Sequence, residues 1–255
     1  MSATEAPVVL GAEAWEAPGT NGCGALVLHG FTGNPSSMRP LAEALAVAGF
    51  AVSLPRLPGH GTVIDDMIPT RWEDWLGHAR AAYEALAARC DGVVVAGLSM
   101  GGTLSVAIGL EHPGIAGLVL INPAVEPVAE EFRSLLSQMA EVSETMPAIG
   151  GDIAKPGMSE SSYDATPLAA LLSLAAAGDG LAARLGELSM PIMLMNSPQD
   201  HVVPPTAPDF FCARVTAPVE RVVLERSFHV ATLDYDAELI ESSAVAFAQK
   251  ACRLV

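Results

Sequence analysis

Ser99 stands at the centre of Gly97-Leu98-Ser99-Met100-Gly101. In a G-x-S-x-G pattern the serine occupies a tight strand-to-helix turn that lifts its hydroxyl clear of the backbone, where it can attack an electrophilic carbon. The flanks supply the context that the pattern needs: β-branched GVVVAG reads as a strand, and TLSVAIGLE reads as a helix that stops before Pro113. A phosphate cradle would require a lysine at the end of the glycine loop, and none is present. The uncharged run from Gly92 to Leu110 approaches the length of a membrane span, but its five glycines and scattered serine and threonine break it into strand, turn and helix. A purely structural serine in a glycine-rich turn is the competing reading.

A serine hydroxyl attacks only when a neighbouring base takes its proton, and that base is usually a histidine oriented by a carboxylate. Six histidines are available. His78 lies in an amphipathic helical stretch and His112 at a helix end, where exposure or capping explains them. His29 follows a strand and His60 sits in the PGHG loop, both placed for local hydrogen bonding. His201 directly follows an acid in sequence, too close to belong to a different loop. His229, in RSFHVATLD after the last apolar strand, is left as the base, and Asp200, after PIMLMNSPQ, is the acid from the preceding strand's loop. Asp209, Asp234 and Asp236 read as helix residues or helix-starting caps.

Attack on a carbonyl develops negative charge on its oxygen, so hydrogen-bond donors must be in place beforehand. The backbone N–H of Met100 is one, at the start of the helix that follows Ser99, where the helix dipole helps. The loop His29-Gly30-Phe31-Thr32-Gly33 is expected to supply the second, from the N–H of Phe31.

The elements that must hold these residues recur along the chain. ALVLHG, FAVSLP, GVVVAG, GLVLIN, PIMLMN and VERVVLE read as short apolar strands, with helical stretches at SSMRPLAEALAVAG, RWEDWLGHARAAYEALAARC and DYDAELIESSAVAFAQKAC. Such alternation implies a mostly parallel sheet flanked by helices. Residues 1–21 read as an added edge hairpin. About 68 residues separate the strand ending at Asn122 from the one beginning at Pro191, far more than an ordinary crossover. This stretch reads as a small inserted helical cap over the C-terminal edge of the sheet, where α/β folds place their ligands. The organisation expected is a core of residues 1–124 and 188–255 with a cap at 125–187.

The 255 residues suit one large domain, and 51% hydrophobic content excludes disorder. A net charge of -16 excludes nucleic acid as a partner and disfavours anionic lipid surfaces, while uncharged substrates remain free to approach. The N-terminus carries no signal-peptide pattern, so the cytoplasm is the expected location, with no stable membrane insertion. Cys23, Cys90, Cys212 and Cys252 are far apart and without ligand-spaced histidines, which suggests core thiols, neither zinc site nor disulfide framework.

Together these residues resemble the α/β-hydrolase superfamily, and within it the bacterial monoacylglycerol lipases and their carboxylesterase relatives. The likeness runs from about Val8 to Lys250 and is carried by HGFTGNPSSMRPLAEA, LPRLPGHGT, GLSMGGTLS, QDHVVPP and SFHVATLDYD, in the family's order and spacing. The resemblance implies an α/β-hydrolase fold and triad positions for Ser99, Asp200 and His229, in the family's chain order. It implies oxyanion positions for Phe31 and Met100, and hydrolysis of neutral carboxylic esters, monoacylglycerols foremost, without metal or cofactor. The segment AIGGDIAKPGMSESSYDATP within the insertion is similar too, and puts Glu160 where a cap carboxylate meets the glycerol hydroxyls. Gln199 stands where relatives often carry an acid and Phe228 where they often carry tyrosine, and Ala129 to Pro147 has no clear counterpart; these departures bear on substrate choice. A broad short-chain carboxylesterase is the alternative enzyme, a thioesterase or acyltransferase comes third, and a binding protein that kept the fold and lost turnover is the alternative outside enzymes.

Overall fold

The computed structural model describes residues 6–148 and 151–253. In chain order its elements are β1 (Trp15–Ala17), β2 (Cys23–Leu28), α1 (Arg39–Val47), β3 (Ala51–Leu54), α2 (Ile64–Met67), α3 (Trp72–Ala87), β4 (Gly92–Leu98), α4 (Met100–Glu111) and β5 (Gly117–Ile121). There follow α5 (Glu130–Ala140), β6 (Thr145–Pro147), β7 (Ala165–Pro167), α6 (Leu168–Ala182), β8 (Ile192–Asn196), α7 (Ala207–Cys212), β9 (Val219–Val223) and α8 (Ala237–Cys252).

Among the described residues seven strands form one sheet in the order β1-β3-β2-β4-β5-β8-β9. Every neighbouring pair is parallel except β1 with β3. Side chains of a strand point alternately to opposite faces, and the inner strands are apolar at nearly every position, Ser53 and Asn196 excepted, because both faces are covered. On one face Leu26, Leu28, Val93, Val95, Leu118, Leu120, Ile192 and Leu194 pack with Trp75 and Leu86 of α3, Leu104 and Ile108 of α4 and Leu174 of α6. On the other, Ala25, Val27, Val94, Ala96, Val119, Ile121, Met193 and Met195 pack with Leu41 and Leu45 of α1 and Ile240, Ala244 and Phe247 of α8. Ten of the twelve residues of α4 are buried, so the helix behind Ser99 is apolar all round and fixed in the core.

Two local expectations are corrected. Residues 6–21 contribute one strand to the sheet edge and not a hairpin: β1 adds antiparallel to β3, with Trp15 opposite Leu54, while Met1–Glu5 lie outside the described residues. The stretch 36–49 is also not one helix. A 3-10 turn at Pro35–Ser37, capped by the Asn34 side chain on the Ser36 N–H, precedes α1. Between β5 and β8 the chain builds α5 and α6 around an irregular run from 151 to 164, in the Gly-, Pro- and Ser-rich middle of the insertion, and a two-stranded antiparallel ribbon, β6 with β7, that the helical reading of this stretch did not contain.

Candidate active site

The nucleophile candidate stands where β4, a central strand, turns into α4. Ser99 adopts φ 53° and ψ −117°, a conformation that costs a non-glycine residue about 1–3 kcal/mol and persists only where the surroundings impose it. Its N–H donates to the Ile121 carbonyl at 3.0 Å and its own carbonyl accepts from Thr103 N at 3.0 Å. The two glycines of the motif are sterically obligatory. A Cβ on Gly97 would lie 2.1 Å from the Gly101 carbonyl oxygen, and one on Gly101 would lie 2.2 Å from that of Leu28. Met100 begins α4, so its N–H has no intrahelical acceptor and is free for another oxygen.

His229 and Asp200 meet across the ends of β9 and β8. The imidazole Nδ1 lies 2.7 Å from Asp200 Oδ2, with side chains 9% and 3% exposed. The other oxygen, Oδ1, accepts the N–H groups of Val202 at 2.7 Å and Val203 at 2.8 Å. The carboxylate is thus fully engaged, which fixes its plane and makes Nδ1 the donor, leaving the lone pair of the ring on Nε2. Asn122, at the end of β5 with φ 43°, knits the loops together. Its amide nitrogen donates to the His229 carbonyl at 2.8 Å and to Ser197 Oγ at 3.1 Å, and its oxygen accepts from Ser197 N at 2.8 Å. Ile121, which receives the Ser99 N–H, is its chain neighbour, so one strand end ties the serine turn to both other loops.

The loop after β2 lies against the serine: a Cβ on Gly30 would stand 3.6 Å from Ser99 Cβ. Phe31 follows, its ring edge-on to Trp75 at 5.6 Å and to His60 at 6.4 Å, and Thr32 takes φ 63°. His29 and His60 are fully buried beneath it. His29 Nδ1 donates to the Gly30 carbonyl at 2.9 Å and Nε2 accepts from Leu57 N at 3.2 Å, partners that fit only a neutral ring. Burial holds the His29 pKa well below the usual imidazole range, and burial likewise brings His60 down to about 4. Both act locally on the loop, as their positions in the sequence suggested.

Glu160 reaches the same loop from the insertion. Its carboxylate packs on Gly33, where an added Cβ would meet Oε1 at 2.6 Å. Desolvation raises its pKa to about 7, opposed by the attraction of His229 and a hydrogen bond from Ser37. Around it the insertion is tied down at both ends. Asn34 Nδ2 donates to the Ser161 carbonyl at 2.6 Å, Tyr163 N donates to the Thr32 carbonyl at 3.3 Å, and the Tyr163 hydroxyl donates to the Gly59 carbonyl at 2.8 Å. At the other end Asp152 and Asp234 hold it to the His229 loop. Asp234, buried, accepts from Ala154 N at 2.7 Å, Phe228 N at 2.9 Å, Lys155 N at 2.9 Å and Tyr235 N at 2.8 Å. Asp236 accepts from Arg226 N at 2.9 Å and from Ser227 Oγ at 2.8 Å. The sequence reading of Asp234 and Asp236 as helix residues or helix-starting caps holds for Asp236 in position, at the N-cap of α8, but neither carboxylate caps the helix: both organise the His229 loop, and Asp234 lies before the helix. Residues 151–163 form a strap from the loop after β2 to the His229 loop.

Among the described residues no cluster of three or more His, Cys, Asp or Glu is arranged to hold a metal, and no helix is long and apolar enough to cross a membrane. The four cysteines are unpaired and half-buried rather than fully in the core.

Comparison with known proteins adds three findings. A model described as the alpha/beta hydrolase family matches residues 25–242. The chain is 42% identical over 246 residues to a thermostable monoacylglycerol lipase of Bacillus sp. (strain H-257), covering 96% of this chain and 97% of that protein, and 26% identical over 229 residues to a carboxylesterase of Bacillus subtilis (strain 168), covering 88% and 92%. Among solved structures, one from a study of LipS and LipT, two metagenome-derived lipolytic enzymes, superimposes with a TM-score of 0.90 at 39% identity, covering 96% of this chain and 100% of that one.

Proposed function

Because the chain belongs to the α/β hydrolase family, we propose that it is a serine hydrolase that cleaves carboxylic esters through an acyl-enzyme, with monoacylglycerols as its substrates and fatty acid and glycerol as products. The observation that carries the proposal is the enclosed His229–Asp200 pair at 2.7 Å, on loops that Asn122 ties to the strand end receiving the N–H of Ser99, a serine held at positive φ. With Nδ1 donating to Asp200, Nε2 of His229 takes the proton of Ser99 as Oγ attacks the ester carbonyl carbon. The N–H groups of Phe31 and Met100 receive the developing oxyanion. As the carbonyl re-forms, the carbon–oxygen bond to the alcohol breaks and the imidazolium gives that alcohol its proton. Water, deprotonated by the same imidazole, then attacks the acyl carbon and releases Ser99 with the proton returned to it. In this mechanism Asp200 stays ionised and stabilises the imidazolium, and no metal or cofactor takes part.

Residues 125–187 serve in this reading as the cap over the site, and Glu160, leaning over Gly33, meets the glycerol hydroxyls of the substrate. Fatty acid release from a long-chain monoacylglycerol and hydrolysis of p-nitrophenyl butyrate, measured side by side with wild type and Ser99→Ala, test the proposal. Preference for the monoglyceride that vanishes in the variant is the expected result. Ser99-dependent activity on the small ester alone would favour a short-chain carboxylesterase, and activity on neither would leave a ligand-binding member of the fold.

A further inference from the structure

Asp152 touches more of the site than its place in the insertion suggests. Its Oδ2 accepts the His229 N–H at 3.1 Å and the His201 N–H at 3.1 Å, and its Oδ1 lies 2.8 Å from His201 Nδ1. Its main-chain carbonyl accepts the Val230 N–H at 3.0 Å. Four donors from two loops converge on one residue whose side chain is 13% exposed. One loop follows β8 and carries Asp200, directly before His201; the other follows β9 and carries His229, directly before Val230. Asp234 ties the same strap only to the β9 side.

We propose that Asp152 is a positioning residue that locks the loops of Asp200 and His229 into one unit, so that the insertion, and not the sheet alone, sets where the base stands. The proposal rests on the reading of Ser99, Asp200 and His229 as the reacting triad. The geometry explains why a third element is needed. The β9 strand is at the sheet edge and largely exposed, so it offers the base loop hydrogen bonds from one side only, through β8. The two loops also touch directly, Ser197 Oγ donating to the Phe228 carbonyl at 2.9 Å and Gln199 Nε2 to the Glu225 carbonyl at 2.9 Å, and the Asp152 carboxylate, with enough acceptor directions for several N–H groups at once, adds an anchor on the main chain of His201 and of His229 itself. Misplacement of a reacting group by about 1 Å costs on the order of 100-fold in rate, so a clamp on the main chain of the base has leverage on turnover without touching substrate.

The test uses Asp152→Asn, which keeps the shape and one acceptor oxygen, and Asp152→Ala, in the full chain, with p-nitrophenyl butyrate between pH 5 and 9. The expected result is a fall in kcat of about tenfold for Asn and about 100-fold for Ala, with KM for this small ester little changed. The proton on His229 Nδ1, identified by its loss in Asp200→Asn, gives a second readout independent of turnover: a sharp downfield proton NMR signal in wild type, broadened or displaced in Asp152→Ala. Variants that are folded by circular dichroism yet keep the wild-type kcat and proton signal would overturn the assignment, as would failure of both variants to fold. Loss of the wild-type activity in Ser99→Ala checks the triad reading separately, and its failure leaves the proton signal to judge Asp152.

Discussion

His60 makes the stability of this protein depend on pH in a calculable way. The ring is fully buried under the loop after β2, donates from Nδ1 to the Pro58 carbonyl at 2.9 Å and leaves Nε2 without a partner. Burial lowers its pKa from the ordinary 6.5 to about 4. Above pH 6.5 neither folded nor unfolded chains carry a proton there, and the group has no pH-dependent effect. Between 6.5 and 4 the unfolded chain binds the proton and the folded one does not, so acidification favours unfolding; below 4 the effect levels off. With those two values, linkage gives a loss of about 2 kcal/mol by pH 5 and about 3 kcal/mol by pH 4 relative to pH 7.5. His29, also buried neutral, acts in the same direction. The assay is urea unfolding at pH 7.5 and 5.0 of wild type and His60→Gln, which keeps a donor for Pro58 but does not titrate. The variant is less stable at pH 7.5, yet its drop on moving to pH 5.0 is expected to be smaller by about 2 kcal/mol. Equal drops in the two proteins would refute the claim that this imidazole is held neutral.

Other expectations follow from the same site. Asp200→Asn should lose roughly 10³- to 10⁴-fold in kcat at unchanged stability. Its amide oxygen will turn to the N–H groups of Val202 and Val203, which presents the NH₂ to His229 and forces the wrong tautomer; a loss under tenfold would point to another acid. Gly101→Ala drives a Cβ to within 2.2 Å of the Leu28 carbonyl, so about 1–3 kcal/mol of stability and at least about tenfold in turnover should go, read by thermal melting and p-nitrophenyl butyrate hydrolysis. Glu160→Gln imitates the protonated acid. With a carboxyl pKa near 7, the variant should match wild type on monoacylglycerol below that pH and separate from it above, while p-nitrophenyl butyrate shows no such crossover.

Much of this arrangement is legible in the sequence because it is local. The strand before Ser99, the glycines at 97 and 101 and the helix behind them lie within one short stretch, and each strand of the parallel sheet announces itself as an apolar run. Asp200 and His229 can be placed by the loops that must carry them. What binds the loops together is not local. Asp152 meets His229 across 77 positions, and Asn122 meets it across 107. Asp234 in particular reads as an ordinary helix-starting acid in LDYD, since nothing near it in sequence marks the four backbone donors that it collects, two of them 79 and 80 positions away. The antiparallel addition of β1 was hidden for a related reason: three residues paired with a strand more than thirty positions on leave no periodicity to read.

The sheet order distributes mechanical support unevenly. The serine rises from β4, with two strands beyond β2 on one flank and two beyond β5 on the other, whereas the histidine hangs from β9, the last strand of the row. Openings that involve the outermost strand require far less of the structure to yield than openings at the centre. On the proposed reading of His229 as the base, competence for turnover and integrity of the fold should have different thermal limits: on warming, inactivation that reverses on cooling is expected before the core melts, as residual activity set against a thermal unfolding curve would show.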